Sequence, residues 1–287
     1  TSGGSMKVGF INNINPTTVF DVMASAINQD IVRFTGANYN RGLKISTAVS
    51  GSINDALIKY DADSQNSAGQ HAFLTDGDEK LRIDTSGRLL VNNSSSTSPD
   101  GFNSLIQVNS ANHEGSITIG RHTANANGPG LIFQKSRSGT ATPGNGVLSN
   151  GDNLGTIRFY GSDGTDRNSF AASISCEVDG TPGSNDMPGR LIFLTTADGS
   201  ASSTERLRIR SDGHVVPGAD ATQDFGTSSN RWRNVYTTDL QLSNENTGGN
   251  EVDGTEGNWT LQEGESDIYM INRKTGKKYK MMLQEVS

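Results

Sequence analysis

The chain has 287 residues, a formal net charge of −7 and a single cysteine, and only 32% of its residues are apolar. A lone cysteine excludes an intrachain disulfide framework, and no apolar run approaches the length of a membrane span, so we expect no membrane insertion. Glycine, with 34 residues, takes the place of many core-forming side chains. We therefore expect the chain to complete its core with neighbouring copies.

The chain opens with the Gly/Ser-rich stretch Thr1–Ser5, directly before Met6. Such a stretch is typical either of a linker within a longer protein or of a remnant of cloning. We assign residues 1–18 to this segment and give it no role in the fold.

Short alternating strands are predicted next, at Val19–Val22, Asp30–Phe34 and Gly42–Ile45. Val19–Val22 also fits one stripe of a helix. Its counterpart later in the chain, Leu105–Val108, is followed by turn residues, and this favours a strand in both places.

The clearest pattern is a stretch of thirteen residues that occurs twice, as EKLRIDTSGRLLV at Glu79–Val91 and ERLRIRSDGHVVP at Glu205–Pro217. In both copies apolar and basic residues alternate, and a glycine-containing turn then leads to a second apolar run. This pattern predicts two β-hairpins. We expect the Leu and Ile side chains to be buried and the arginines between them to lie on the outer face or to bridge to neighbours: Leu81, Ile83, Leu207, Ile209, Arg82 and Arg208.

The duplication extends beyond the hairpins. Asp30–Phe34 matches Ser116–Gly120, and Gly42–Ile45 matches Gly130–Phe133. Repeats of this kind indicate stacked β-rich units. We predict a first unit at 19–99, a second at 100–217 with a Gly- and Pro-rich insertion near 134–190, a connector at 218–257, and a C-terminal hairpin tip at 258–287.

The tip is predicted from two alternating strands separated by the turn residues Asn272–Gly276. Ile268 and Met270 share a face on the first strand, and Tyr279 and Met281 do so on the second. A hairpin with one apolar face needs something to pack on. We expect that partner to be Trp259 and the same hairpin of a neighbouring subunit.

The stretch from about 150 to 287 resembles a module of bacteriophage tail fibres and related virion appendages. Its residues from Gly226 onward, GTSSNRWRNVYTTDLQLSNE and then VDGTEGNWTLQEGESDIYMINRKTGKKYKMMLQEV, resemble the C-terminal end of fibre proteins from marine phages, cyanophages among them. The resemblance implies an all-β, elongated homotrimeric fibre of the virion that takes part in host attachment together with other tail proteins. Many proteins with this module end in a self-cleaving helical chaperone domain, and nothing after Asn244 is typical of a helix.

Signatures of catalysis or metal binding are scarce. The four histidines are isolated in sequence, although a metal on a threefold axis needs only one from each subunit. The acidic stretches Asp61–Ala72 and Gly161–Asn168 favour plain turns over calcium loops. No glycine string precedes a predicted helix, and no pair of carboxylates stands out. We expect a protein that is not an enzyme, has no cofactor and binds no nucleic acid.

We therefore predict a tail fibre or receptor-binding protein that contacts a glycan or protein receptor on the host surface. The alternatives are a polysaccharide-degrading tailspike and a purely structural shaft or decoration protein. Because the repeated hairpins are framework, recognition is expected at the parts that the units do not share: the Glu245–Glu256 loop, the Thr181–Pro188 loop and, first, the tip. The candidate receptor contacts at the tip are Arg273, Lys274, Lys277, Lys278, Tyr279 and Trp259.

Overall fold

The structure is a computed structural model that describes residues 30–35, 42–49, 56–63, 69–112, 115–139 and 144–286. These residues form β-strands, one turn of 3-10 helix at Pro99–Gly101, and no α-helix. The prediction of an all-β fold is thereby confirmed. The strands are β1 (Asp30–Thr35), β2 (Gly42–Val49), β3 (Ala56–Asp63), β4 (His71–Thr75), β5 (Asp78–Ile83), β6 (Leu89–Val91), β7 (Ile106–Val108), β8 (Asn153–Gly161), β9 (Ser169–Val178), β10 (Gly189–Thr196), β11 (Ser203–Ile209), β12 (Val215–Pro217), β13 (Asp239–Ser243), β14 (Asn258–Glu263), β15 (Ile268–Asn272) and β16 (Lys278–Lys280).

The described strands form four sheets, and the chain divides into two compact units at Gly130 and Leu131. The first unit contains the sheet β1-β2-β3 and the sheet β4-β5-β6-β7, here called the first and second sheets. The second unit contains β12-β11-β10-β9-β8 and β13-β14-β15-β16, the third and fourth sheets. Within each sheet neighbouring strands pair antiparallel, except that β6 and β7 run parallel. No helix in the described ranges is long and apolar enough to cross a membrane.

Residues 134–190, the predicted insertion, contain β8 and β9, and the strand predicted at Leu105–Val108 is found as β7. The predicted strand at Val19–Val22 lies outside the described residues, as does His113. Ser116–Gly120 and Gly130–Phe133 were expected to be strands and belong to no strand in the described chain. Sequence similarity to β1 and β2 predicts a strand, but a ladder also needs a partner within reach.

The two thirteen-residue stretches fold alike, and both include a β-bulge that the sequence pattern does not predict. β4 pairs with β5, and β10 with β11, with a register shift at the same position of the match: Lys80 on β5 is the extra residue opposite Phe73 and Leu74, and Arg206 on β11 is the extra residue opposite Phe193 and Leu194. Each hairpin then turns through a glycine with positive φ, Gly87 at 75° and Gly213 at 85°. The duplicated sequence is therefore one local structure used twice.

The bulge explains a charge pair in each copy. On a regular strand, residues three apart face opposite sides of the sheet, but a bulge adds one residue and returns them to the same side. The Nε of Arg82 thus donates to Oε1 of Glu79 over 2.7 Å, and the Nε of Arg208 donates to Oε1 of Glu205 over 2.8 Å. In both pairs a second guanidinium nitrogen bonds the other carboxylate oxygen. The hydrogen bond from Arg82 lowers the pKa of Glu79.

The third sheet has one apolar face that stays open to solvent. Register and alternation place six large apolar side chains on the same side of the sheet, and each of them is more than a third exposed. We call this set the apolar face: Ile157 (43% exposed), Phe159 (51%), Ile174 (36%), Leu191 (40%), Leu207 (38%) and Val215 (62%). Cys176 lies on the same side of the sheet, opposite Leu191, and is a half-buried free cysteine.

The opposite face is polar but well covered. Ser173 and Ser175 on β9, and Ile192 on β10, are buried there. Two long charged side chains flank them across the ladders, Arg158 beside Ser173 and Arg208 beside Ile192. Long charged side chains cover a surface with their methylene stems while their charged ends stay in water. This face needs no further layer to exclude water from its interior.

The second sheet repeats the arrangement. Phe73 and Ile106 lie exposed on one side, and on the other Leu90 is fully buried beside Gln107. The β6–β7 connection is fastened to this side of the sheet, because the amide of Thr97 donates to Oε1 of Gln107 over 2.8 Å. The main contacts of each described strand lie within its own sheet.

Burial of the four repeated Leu and Ile side chains is consequently incomplete in the single chain. Leu81 and Ile209 are half-buried, while Ile83 and Leu207 are each 38% exposed. The prediction that all four are buried is not met within one chain, because no second layer lies over their face. Arg82 and Arg208 project to the opposite side, as alternation predicted.

A carboxylate network ties the β11–β12 turn to the end of β9. Oδ2 of Asp179 accepts hydrogen bonds from the amide and the hydroxyl of Ser211, each over 2.9 Å, and Oδ1 accepts one from Arg190 over 3.0 Å. The same Arg190 also bonds Glu177. The bonds from Ser211, aided by Arg190, lower the pKa of Asp179 to about 2.

This network predicts a pH-dependent stability. A carboxyl whose pKa is lower in the folded chain stabilises the fold at pH above about 4, and this contribution is lost as the pH falls toward 2. The thermal midpoint of the protein should exceed that of Asp179→Asn at pH 7, and the difference should shrink between pH 4 and pH 2. The control is Asp198→Asn, in the exposed β10–β11 loop. A difference that stays constant over this range would contradict the assignment.

Candidate functional site

The fourth sheet carries the tip that the sequence singles out. β15 and β16 form its last hairpin, and the side-chain Oδ1 of Asn272 organises the turn by accepting the amides of Lys274 and Thr275, both over 3.0 Å. Gly276 closes the turn with φ at 71° and donates its amide to the carbonyl of Asn272. The predicted C-terminal hairpin is confirmed.

Arg273 turns its guanidinium group toward the sheet. Its Nε donates to Oγ1 of Thr260 over 2.6 Å, and that hydroxyl donates to Oε1 of Gln241, also over 2.6 Å. Thr260 is fully buried. Arg273 therefore joins a chain of hydrogen bonds across three strands of the polar face.

Lys274 fastens the loop that precedes the tip. Its ammonium group donates to the carbonyl of Glu256 over 3.0 Å and lies 3.6 Å from Oε1 of Glu245. The other carboxylate oxygen of Glu245 accepts the side-chain amide of Asn258 over 2.8 Å. Both ends of the Glu245–Glu256 loop are thus held against the turn, and two of the three predicted contact regions lie side by side.

The remaining lysines differ in their freedom to act. Lys280 forms an ion pair with Asp267 at 2.9 Å, and this hydrogen bond raises the pKa of Lys280. Lys277 and Lys278 are exposed, and their ammonium groups have no hydrogen bond or ion pair to any described residue. The positive charge open to an external partner at this turn is therefore concentrated on Lys277 and Lys278.

Trp259 and Tyr279 lie on the other side of the sheet. Their ring centroids are 5.6 Å apart, and register places Trp259 opposite Leu242 and Tyr279 opposite Met270. Lys278 pairs with Ile271 in the adjacent row, so it projects from the opposite face. The six candidate contacts that the sequence grouped together are thus divided between two faces of the sheet.

Exposed aromatic rings also occur before the fourth sheet. Phe225 and Trp232 stack with ring centroids 4.7 Å apart and planes at 11°, and Tyr236 is 91% exposed. The sequence shows this aromatic cluster but not the stacked pair, because the two rings meet across a turn between Thr227 and Asn230.

The acidic loop at Gly161–Asn168 has its carboxylate occupied by the chain itself. Oδ1 of Asp163 accepts the amides of Thr165 and Asp166 over 2.8 and 3.2 Å, and these bonds lower the pKa of Asp163. No cluster of three or more metal-ligating side chains occurs among the residues that the structure describes.

The hydroxyl of Thr260 should couple Arg273 to the sheet energetically. Replacing Thr260 with Val keeps the side-chain shape but removes both hydrogen bonds, and we expect a loss of about 1 kcal/mol in the free energy of unfolding. In an Arg273→Met background the same replacement should cost less, because one bond is already absent. Denaturant unfolding of the four variants gives the coupling, and additive losses would show that Arg273 acts independently.

Comparison with known proteins finds no matching family model and no matching curated protein. Among solved structures, the chain is similar to the carboxy-terminal domain of the bacteriophage T5 L-shaped tail fibre, with 17% identity, a TM-score of 0.46, and coverage of 83% of this chain and 95% of that one. It is also similar to that domain with its intramolecular chaperone domain, with 17% identity, a TM-score of 0.47, and coverage of 81% of this chain and 67% of that one.

Proposed function

We propose that this chain is a tail-fibre protein of a bacteriophage virion, that it assembles as a homotrimer, and that it attaches the particle to the host cell surface. The observation that carries the proposal is the open apolar face of the sheets. The threefold symmetry, the phage origin and the marine type rest on the sequence resemblance of residues 150–287 to fibre proteins.

The open faces require assembly for a physical reason. A sheet is stable in water when its apolar face is buried against a second layer, and burial contributes roughly 25 cal/mol for each Å² of apolar surface. Ile157, Phe159 and Leu191 stay between 40% and 51% exposed in one chain. Copies arranged about an axis bring identical apolar faces together and supply that layer.

The tip has the charge that attachment to an anionic surface requires. Lys277 and Lys278 project from a turn whose backbone is held by Asn272, beside a loop fastened by Lys274. A positive group on an ordered turn attracts anionic glycans without a large entropic cost of ordering. Trp259 and Tyr279 lie on the opposite face and stabilise the hairpin in the assembly. They contact the receptor only where that face remains exposed on the assembled protein.

One carboxylate pair in the third sheet bears on the polysaccharide-degrading alternative. A glycosidase needs a carboxylic acid that stays protonated near neutral pH. Glu177 and Asp179 both accept hydrogen bonds from Arg190, and the pKa of Asp179 is lowered to about 2. This pair is suited to holding strands together rather than to donating a proton.

Measuring the mass of the protein in solution tests the proposed assembly through the apolar face. The protein should have about three times the 30.5 kDa of one chain in solution. Ile157→Asp should reduce the assembled fraction, because a carboxylate would be buried in the interface. The control is Arg158→Asp, on the other face of the same strand. A monomer of the unaltered protein would overturn the proposed assembly.

Attachment through the tip is tested by cell adsorption. The double variant Lys277→Glu with Lys278→Glu should bind native host cells at least tenfold more weakly and remain assembled, because it reverses the available charge. The control, Lys80→Glu with Arg167→Glu, makes the same change in net charge at exposed positions elsewhere. Equal adsorption of both variants would move the contact away from the tip.

Two further outcomes separate the alternatives. Steady release of reducing ends from host surface glycans would identify a tailspike enzyme. Absence of binding to host cells by the unaltered protein would instead favour a structural shaft or decoration protein.

A further inference from the structure

Three asparagines of the chain are directly followed by glycine, at Asn127–Gly128, Asn145–Gly146 and Asn150–Gly151. In such a pair the backbone nitrogen of the glycine can attack the side-chain carbonyl carbon of the asparagine, because glycine has no Cβ to hinder the approach. The attack requires a glycine N–H that is free to lose its proton and a backbone that can turn toward the side chain. All three asparagines are exposed, but the surroundings of their glycines differ.

The backbone at Gly128 is held by nothing around it. Gly128 is exposed, and a Cβ added to it would meet no atom within 4 Å beyond its neighbours in the chain. Its amide donates no hydrogen bond to a described residue. The turn before the pair is stabilised separately, because Oδ1 of Asn125 accepts the amide of Asn127 over 3.1 Å and the hydroxyl of Thr123 over 3.0 Å. The side chain of Asn127 and the nitrogen of Gly128 are therefore available to each other.

The amide of Gly151 is engaged in the third sheet. It donates to the carbonyl of Val178 over 2.9 Å, and Val178 is fully buried. The amide of Val178 in turn donates to the carbonyl of Asp152 over 2.9 Å, so that two bonds join the residues before β8 to the end of β9. The nitrogen of Gly151 can lose its proton only after this pairing opens.

The third glycine, Gly146, is constrained by packing rather than by its amide. Its carbonyl accepts the amide of Arg137 over 3.1 Å, and a Cβ added to Gly146 would overlap the carbonyl carbon of Arg137. This close approach of two backbone segments restricts the rotation that would bring the nitrogen of Gly146 to the side chain of Asn145. The geometry therefore places the reactivity of Asn145 between that of the other two.

We propose that Asn127 is a site of spontaneous deamidation in the folded protein, whereas Asn150 is protected. Hydroxide removes the proton from the nitrogen of Gly128, and this nitrogen forms a bond to Cγ of Asn127. The bond from Cγ to the side-chain nitrogen breaks, and that nitrogen takes a proton from water and leaves as ammonia. Water then opens the succinimide ring at either carbonyl carbon and gives aspartate or isoaspartate. The net reaction consumes one water and releases one ammonia.

The product differs from asparagine in charge and in backbone. Either product carries a carboxylate at neutral pH, so each event makes the formal net charge of −7 more negative by one. Isoaspartate also adds one carbon to the path of the backbone after residue 127. The protein thus becomes chemically heterogeneous with age at a defined position. This inference is independent of the proposed assembly and attachment, since it depends only on the local backbone.

Peptide mapping by mass spectrometry tests the proposal on the intact protein after incubation at neutral and at mildly alkaline pH. The peptide with Asn127 should take up the mass difference between asparagine and aspartate at least about tenfold faster than the peptide with Asn150, because opening a buried hydrogen bond costs free energy. Conversion at Asn127 should accelerate at the higher pH, since the attacking nitrogen must lose its proton. Equal rates at the two positions, or no conversion at Asn127, would overturn the proposal.

A substitution and an unfolded control show whether the fold sets the order. Gly128→Ala adds a methyl group that meets no neighbour, and it should slow conversion at Asn127 while leaving Asn145 and Asn150 unchanged. In guanidinium chloride the three asparagines should convert at similar rates, because each is followed by glycine and no backbone pairing remains. The same order of rates in the unfolded chain would contradict the assignment to structure.

Discussion

The feature on which the rest of this structure depends is the apolar side of its sheets, which is left open to solvent in the single chain. In the second, third and fourth sheets, register gathers apolar side chains on one side, and among them Phe73, Phe159 and Leu242 are 55%, 51% and 46% exposed. A single-layer sheet of this kind buries too little apolar surface to be stable alone. A second layer supplied by another copy would explain how a chain with few apolar residues and many glycines can fold.

The polar faces of the sheets are covered by their own charged side chains. Arg190 bonds Glu177 and Asp179, and the bulged strands place Arg208 beside Glu205. Exposed ion pairs contribute little individually, but bidentate pairs with ordered neighbours fix side-chain positions and shield the small residues beneath them. The bulge is therefore a functional part of the repeat, because it alone brings residues three apart onto one side.

The same separation of faces organises the tip. Arg273 and Thr260 belong to the hydrogen-bonded polar face, while Trp259 and Tyr279 belong to the apolar one. Lys278 projects from the polar face as well, but its ammonium group and that of Lys277 form no hydrogen bond or ion pair with a described residue. The proposed assembly and the proposed attachment involve opposite sides of this hairpin, so that replacements can test them independently.

The sequence by itself determined the all-β class, the duplicated hairpins and the C-terminal turn, because period-two alternation and turn residues are local properties. It also identified the lysines of the tip, but not which of them form ion pairs within the chain, because their partners Glu245 and Asp267 come from other parts of the sequence. Only the tertiary structure decided that Glu205 and Arg208 share a face, that Trp259 lies away from Lys278, and that Ile132 joins no ladder among the described strands. Each of these depends on register and on which strands lie side by side, and pairing partners are set by the whole sheet rather than by the segment.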